Sequence, residues 1–223
     1  MSAMRLLPAF FILCAAGAVL AFLTPQRWLS GLVAAIGSLA ALIVLVASSM
    51  LLVSGDEFHL TLWPVLTLGT LTLEADPLSA FFLFVTGLVF LPVSIFSGTY
   101  LTKYLAHHDL RYFSVLYHAL FASIVLVLIA GDVISFLVAW ELMSIASYLL
   151  VNYEFERAET SRAGSVMLAM SEGGTIAVAI AFILIAGATG GLGFSALRDA
   201  APAVTDALRC AGPSSCSRSS DSR

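Results

Sequence analysis

The chain has 223 residues, of which 60% are hydrophobic and only 11% are charged, and its mean hydropathy is +1.01. Soluble domains carry roughly 25% charged residues, so this composition predicts a membrane protein in contact with the lipid bilayer. The net charge is −4 and the sequence has no basic run, which leaves nucleic-acid binding without support.

Six stretches are apolar and long enough to cross a bilayer, since a spanning helix needs about 20 such residues. They cover residues 6–23, 29–53, 77–101, 112–130, 133–151 and 164–187. The predicted fold is therefore an all-α membrane domain over residues 1–201 with about six transmembrane helices. Gly131 and Asp132 alone join the fourth and fifth spans, which must therefore run antiparallel.

The first span has two interpretations. Arg5 and the small residues Ala16–Ala18 are compatible with a secretory signal peptide. The apolar stretch is longer than the roughly 7–15 residues of a usual signal core, which favours a retained helix.

Residues 57–75, between the second and third spans, alternate leucines with threonines and other small or polar residues. The alternation is interrupted at Pro64 and Gly69, a pattern that predicts a short β-hairpin. A lone hairpin is marginally stable, so we expect it to rest on the membrane domain or on a partner.

The loops differ in charge on the two sides of the predicted bundle. One side carries five basic residues: Arg27, Lys103, Arg111, Arg157 and Arg162. The other side carries only Arg5 before the C-terminal tail begins, together with several acidic residues. Basic loops stay in the cytoplasm, so the N-terminus and the hairpin are predicted to lie outside.

Glu141 lies near the middle of the fifth span, with apolar neighbours on both sides. A central charge costs about 2.5–3.5 kcal/mol, whereas the ten Leu, Ile, Val and Phe residues of this span return about 3–6 kcal/mol. The span therefore inserts with little margin. Ionisable residues at this depth mark proton or ion pathways by default, although a protonated carboxyl that stabilises helix packing is the structural alternative.

All ten Lys and Arg residues fall in loops, at span ends or in the tail, so no buried cation is available to Glu141. Ser144 and Tyr148 follow it on the same helical face, and His118 lies in the preceding span. His118 is either part of a relay or a hydrogen-bonded helix residue. Glu172, beside Gly173 and Gly174 in the sixth span, is the second relay candidate, or it sits in an aqueous vestibule.

Two other carboxyls, Asp76 and Asp132, stand at span starts and are interpreted as helix caps. The three cysteines, Cys14, Cys210 and Cys216, have no metal-ligand spacing, although Cys210 and Cys216 could pair in an oxidising compartment. No Cys/His cluster is present to hold an iron–sulfur cluster or haem, so no cofactor is expected.

The segments "DPLSAFF" (Asp76–Phe82) and "GDVISFLVAWELMSIASYLLV" (Gly131–Val151) resemble a known family. The family is the antiporter-like membrane subunits of respiratory complex I, Mrp-type antiporters and membrane-bound hydrogenases. The likeness covers roughly residues 29–201 and is greatest to hydrogenase-4 component B and formate hydrogenlyase subunit 3.

This resemblance implies a proton-translocating subunit of about fourteen helices, located in the bacterial cytoplasmic (inner) membrane beside other membrane subunits. It also implies that Glu141 matches a membrane glutamate that pairs with a lysine on a seventh helix. The chain stops before such a helix, so we expect it to be the N-terminal part of something larger. Residues 202–223 resemble a disordered or out-of-frame tail.

Two alternatives remain. The chain could be an assembly subunit in which Glu141 is only a polar helix contact, or a subunit of an Mrp-type cation/proton antiporter. An intramembrane protease would need a nucleophile and base such as Ser123 and His118, and no motif surrounds them.

Overall fold

The computed structural model of the protein describes residues 3–55, 58–65, 69–104, 109–154, 158–189 and 192–198. Its elements, in chain order, are α1 (Ala3–Leu23), α2 (Gln26–Ser54), β1 (Phe58–Val65), β2 (Gly69–Ala75), α3 (Pro77–Tyr100), α4 (Leu110–Leu128), α5 (Val133–Val151) and α6 (Ala158–Thr189). Two 3-10 turns, Leu101–Tyr104 and Asn152–Glu154, follow α3 and α5. Six helices long and apolar enough to cross a membrane, with a two-stranded sheet, confirm the predicted fold class. The predicted tail, residues 202–223, lies outside the described residues.

Carboxylates begin three of the helices. Asp76 Oδ1 accepts a hydrogen bond from the Ser79 N–H at 2.7 Å, and Asp132 Oδ1 accepts one from the Ser135 N–H at 2.8 Å, as predicted for caps. Asp109 Oδ1 caps α4 in the same way, at 3.0 Å from the Arg111 nitrogen. The N–H of Ser79 stabilises the charged form of Asp76 and thereby lowers the pKa of that carboxyl.

The first four helices share one apolar core. Phe10 of α1 and Phe90 of α3 both pack on Phe121 of α4, with ring centroids 4.9 and 4.0 Å from that ring. Phe10 and Phe121 are fully buried. Stacked and edge-to-face ring pairs pack to contact, so this aromatic cluster holds α1, α3 and α4 together.

The same bundle contains a sealed polar pair. The hydroxyls of Ser94 on α3 and Tyr117 on α4 are 2.6 Å apart. A Cβ at Gly37 of α2 would lie 2.7 Å from Ser94 Oγ, so this glycine allows α2 to approach the pair closely. Each hydroxyl therefore has a partner inside the core, as buried polar groups require.

The hairpin rests on the membrane domain. Strands β1 and β2 pair antiparallel, with a bulge between Thr61 and Trp63. The backbone of β2 also pairs with the end of α4, since the Glu74 N–H donates to the Ile129 carbonyl at 2.7 Å and the Gly131 N–H to the Thr72 carbonyl at 2.9 Å. We call this end of the bundle the hairpin end.

Helix α6 packs differently from the others. In its apolar stretch only 6% of the residues are buried, against 44% for α4. Among the described elements, its packing partners are α5 and the 3-10 turn that follows α5. The site below is built at this α5–α6 contact.

Replacing Phe121 with Ala should destabilise the bundle by about 3 kcal/mol, because the cavity left by a buried aromatic ring is incompletely filled. The measurement is reversible unfolding in mixed micelles. Phe82→Ala is the matched control, since the Phe82 side chain is 47% exposed on α3 and should cost far less. Equal losses for the two variants would contradict the packing described above.

Candidate functional site

Two glutamates meet at the contact between α5 and α6. The Glu141 side chain on α5 and the Glu172 side chain on α6 are neighbours, near enough for their carboxyls to interact. Both side chains are partly buried. The sequence proposed each residue separately as a relay candidate, and the structure brings them together.

A serine pair lies directly beside the glutamates. Ser144 Oγ, one turn along α5 from Glu141, is 2.6 Å from Ser171 Oγ on α6. Ser144 is buried, and Ser171 also accepts a hydrogen bond at its carbonyl from the Thr175 hydroxyl at 3.1 Å. The spacing of three residues on α5 places Glu141 and Ser144 on one face, and Ser171 and Glu172 supply the facing pair.

The two neighbours predicted for Glu141 along α5, Ser144 and Tyr148, make hydrogen bonds to other residues. Ser144 bonds to Ser171 across the interface, and the main-chain carbonyl of Tyr148 accepts from the Asn152 amide at 3.0 Å. A Cβ at Gly164 of α6 would collide with that same Asn152 amide. Asn152 and Gly164 therefore mark a close approach between the end of α5 and the start of α6.

The site is open on one side of α6. Additional Cβ atoms at Gly173 or Gly174, next to Glu172, would meet nothing within 4 Å. Within the part of the chain that the structure describes, no Lys or Arg forms an ion pair with Glu141 or Glu172. The glutamates therefore interact with each other and not with a described cation.

His118 lies in a different part of the bundle. It is 1% exposed, and its Nδ1 is 2.7 Å from the Ser114 carbonyl of its own helix. Its Nε2 has no hydrogen-bond partner among the described residues and faces α1, where a Cβ at Gly17 would lie only 2.7 Å away. The Ser123 hydroxyl donates to the Leu120 carbonyl, so the described contacts do not join Ser123 to His118.

Ser171 and Asp132 are the residues that sequence reasoning missed as parts of this region. Ser171 directly precedes Glu172, so a search for polar side chains that share a face with the glutamates would have found it. Asp132 was predicted as a cap, but its second oxygen also binds β2, as described below. No sequence pattern indicates that contact, because 60 residues separate the partners.

Chemically, a pair of carboxyls suits a single shared proton. Two negative charges at this separation repel strongly in a medium of low dielectric constant, and a proton between the oxygens removes one charge and supplies a hydrogen bond. When one carboxyl of such a pair carries the proton, it can donate a hydrogen bond to the other.

Comparisons with known proteins identify membrane proteins that are similar to this chain. Residues 130–212, which begin at the turn before α5, match the family model described as "NADH:quinone oxidoreductase/Mrp antiporter, TM". An uncharacterized protein of Mycobacterium tuberculosis is 37% identical over 148 residues, covering 66% of this chain and 22% of that protein. Hydrogenase-4 component B of Escherichia coli is 29% identical over 135 residues, covering 60% of this chain and 20% of that protein.

A solved structure shares the fold. The membrane-bound sulfane sulfur reductase, an archaeal respiratory membrane complex, contains a chain that superposes with a TM-score of 0.70 at 20% identity. The superposition covers 87% of this chain and 39% of the other. The chain spans about a fifth of the length of the curated relatives cited above.

These matches place the chain among multi-pass membrane proteins with the antiporter-like fold. The predicted resemblance is confirmed: the chain is related to the antiporter-like membrane subunits of respiratory and hydrogenase-type complexes.

Cysteines introduced at Ser144 and Ser171 should form a disulfide rapidly, because the hydroxyl oxygens they replace are 2.6 Å apart. The native cysteines Cys14, Cys210 and Cys216 would first be replaced by serine, and bond formation followed by mobility on a non-reducing gel. Ile145→Cys with Ser171→Cys is the control, since residue 145 is rotated by about 100° around α5. Equal cross-linking of the two pairs would contradict the α5–α6 register.

Proposed function

We propose that the chain works within a proton-translocating membrane subunit of a hydrogenase-, formate hydrogenlyase- or NADH:quinone oxidoreductase-like complex. Glu141 is the membrane-embedded relay carboxyl and Glu172 is its partner. The observation that carries the proposal is the contact between these two carboxyls at the α5–α6 interface. Membrane-embedded carboxyls that face one another are the usual components of proton relays.

The surroundings of the pair support a mobile proton. Glu172 borders the open glycine face of α6, whereas Ser144 and Ser171 supply hydroxyls that can donate or accept. A proton can therefore be exchanged between the carboxyls without leaving polar groups unpaired. The six helices alone are not expected to conduct, because no described cation is placed to alternate with the proton at Glu141.

We assign His118 a separate place in the same proposal. Its buried Nε2 has no hydrogen-bond partner among the described residues, and an unpaired ring nitrogen of a neutral imidazole can accept a proton, which suits a relay group. The contact with Gly17 places that nitrogen toward α1, whereas the carboxyl pair lies between α5 and α6. His118 would thus serve a second branch of the path.

The proposal includes a location and partners. Five Lys and Arg residues occupy the loops of the end opposite the hairpin, which favours the cytoplasm for that end. The N-terminus and hairpin would then lie outside the bacterial cytoplasmic (inner) membrane. Open surface on α6 supports contact with further membrane helices, within the subunit or from neighbouring subunits of the complex.

A second candidate function is assembly without transport. The Ser144–Ser171 bond favours it, since hydroxyl pairs between helices are typical contacts in membrane proteins. In this case Glu141 and Glu172 would be a further polar contact that holds α6 on α5. An Mrp-type cation/proton antiporter subunit is the other alternative, and the name of the matching family model includes both types.

Glu141→Gln should abolish proton movement while leaving assembly intact, because the amide keeps the shape and hydrogen bonding of the side chain but cannot release a proton. Proton movement would be measured as fluorescent-dye quenching in inverted vesicles that contain the assembled complex, and assembly by native gel. Glu141→Asp is the matched control, since it keeps the carboxyl and should retain partial activity. Normal pumping by Glu141→Gln would reject the relay, whereas failed assembly would support the second candidate.

Topology can be tested with single cysteines at the two ends of the bundle. His59 on β1 is 58% exposed, and Thr102 lies exposed in the 3-10 turn after α3. A membrane-impermeant maleimide should label His59→Cys in intact cells, and it should label Thr102→Cys only after the cells are opened. The reverse pattern would overturn the proposed orientation.

A further inference from the structure

Asp132 makes more contacts than a helix cap needs. The residue is 4% exposed, and its two carboxylate oxygens have different partners. Oδ1 accepts from the Ser135 N–H, which is the cap. Oδ2 accepts from the Thr72 N–H of β2 at 2.7 Å and from the Ser135 hydroxyl at 2.6 Å. One side chain therefore ties the first turn of α5 to the hairpin.

The backbone around Asp132 adds a link to the segment that follows α6. The Val133 N–H donates to the Leu192 carbonyl at 3.0 Å, and the Phe194 N–H donates to the Gly131 carbonyl at 3.1 Å. Asp132 and Gly193 form a β-bridge, and Leu73 and Ala130 form another. The turn between α4 and α5 thus lies between β2 on one side and residues 192–194 on the other.

Side-chain packing at this end follows the same arrangement. Phe194 contacts Phe136 of α5 and Phe182 of α6, with ring centroids 6.1 and 5.7 Å apart. Phe136 and Phe182 also contact each other across the interface, at 6.0 Å. At the hairpin end, α5 and α6 are therefore joined by contacts among Phe136, Phe182 and Phe194 and by the backbone hydrogen bonds of residues 192–194.

We propose that Asp132 is a positioning residue that sets the register of α5 against α6 and thereby holds Glu141 opposite Glu172. This inference rests on the proposed function only where it concerns the proton relay. The packing of α5 against α6 is a structural property, whether or not the glutamates move protons. Because Asp132 binds the hairpin and the start of α5 through different oxygens, it anchors the helix that carries Glu141 to the hairpin.

Replacing Asp132 with Asn distinguishes its role as the cap of α5 from its link to Thr72 of the hairpin. A carboxylate presents two acceptor oxygens, whereas an amide presents one acceptor oxygen and one N–H₂ donor. Asp132→Asn can keep the bond to the Ser135 N–H, since asparagine is a good cap, but its amide nitrogen then faces the Thr72 N–H. If the amide turns round, the cap is lost and the anchor kept. One of the two links must break.

Asp76 provides the matched control. It lies at the same end of the bundle and caps α3 through the Ser79 N–H at 2.7 Å. Its described hydrogen bonds stay at the start of its own helix. Asp76→Asn therefore changes the same chemical group without cutting a link between the hairpin and α5.

The first measurement is the rate of disulfide formation between cysteines at Ser144 and Ser171, in the whole chain reconstituted in liposomes. Asp132→Asn should slow the reaction by about tenfold, because the register that brings the two cysteines together is then less stable. This factor corresponds to the free energy lost with one hydrogen bond to a charged acceptor. Asp132→Ala should slow it at least as much, and Asp76→Asn should leave it unchanged. An unchanged rate in Asp132→Ala, which removes both the cap and the link to the hairpin, would overturn the inference.

A variant in β2, on the other side of the contact between Asp132 and Thr72, controls for misfolding of α5. Thr72→Pro removes both the N–H that donates to Asp132 at 2.7 Å and the hydroxyl that contacts it at 3.4 Å, and it leaves the residues of α5 unchanged. Proline is tolerated where a strand N–H points away from its pair. It should reproduce the slower cross-linking of Asp132→Asn, with helix content unchanged by circular dichroism. A normal rate in Thr72→Pro would also overturn the inference.

The second measurement reports on the carboxyls themselves. A hydrophobic carbodiimide modifies protonated carboxyls in membranes, and peptide mass spectrometry can follow its reaction at Glu141 against pH. Asp132→Asn should move this profile, because the Glu172 carboxyl then faces Glu141 differently, whereas a residue that only stabilises the fold would leave it in place. An unmoved profile would contradict positioning. Neither measurement requires proton transport, so normal pumping by Glu141→Gln would reject the proposed function and leave this result standing.

Discussion

The main physical constraint on this structure is the unfavourable free energy of placing a carboxyl inside a membrane. Glu141 lies in a helix whose apolar residues barely offset the free energy of inserting one charge. In the described residues its acidic neighbour is Glu172, and no described Lys or Arg forms an ion pair with it. Two adjacent carboxylates repel each other strongly in a low-dielectric environment, which is the physical reason for proposing a proton on this pair.

Much of the fold could be predicted from the sequence, because bilayer thickness fixes the length of an apolar helix. The span predicted at 133–151 coincides with α5, and the alternation in residues 57–75 predicted the hairpin. Helix α6 begins at Ala158, before the predicted residue 164, because Glu159 and Arg162 interrupt the apolar run without breaking a helix.

The partners in the site were harder to predict. Glu141, Glu172 and Ser144 were proposed as site residues from their depth and spacing, but which of them touch depends on how α5 and α6 pack. Apolar residues are spread almost evenly around α5 and α6, so the sequence does not indicate which faces of the two helices pack together. The anchor between Asp132 and Thr72 joins residues 60 positions apart, so only the three-dimensional packing reveals it.

The aromatic cluster of Phe10, Phe90 and Phe121 has an electrical consequence. Where these rings are in contact, at 4.0 to 4.9 Å, the surroundings are apolar and disfavour a charge, and the nearby Ser94 hydroxyl bonds to both the Tyr117 hydroxyl and the Phe90 carbonyl. On the α6 side, by contrast, small residues leave space beside Glu172. In the proposed relay, Glu141 and Glu172 would therefore exchange protons on the open side of α6 and not through the aromatic core.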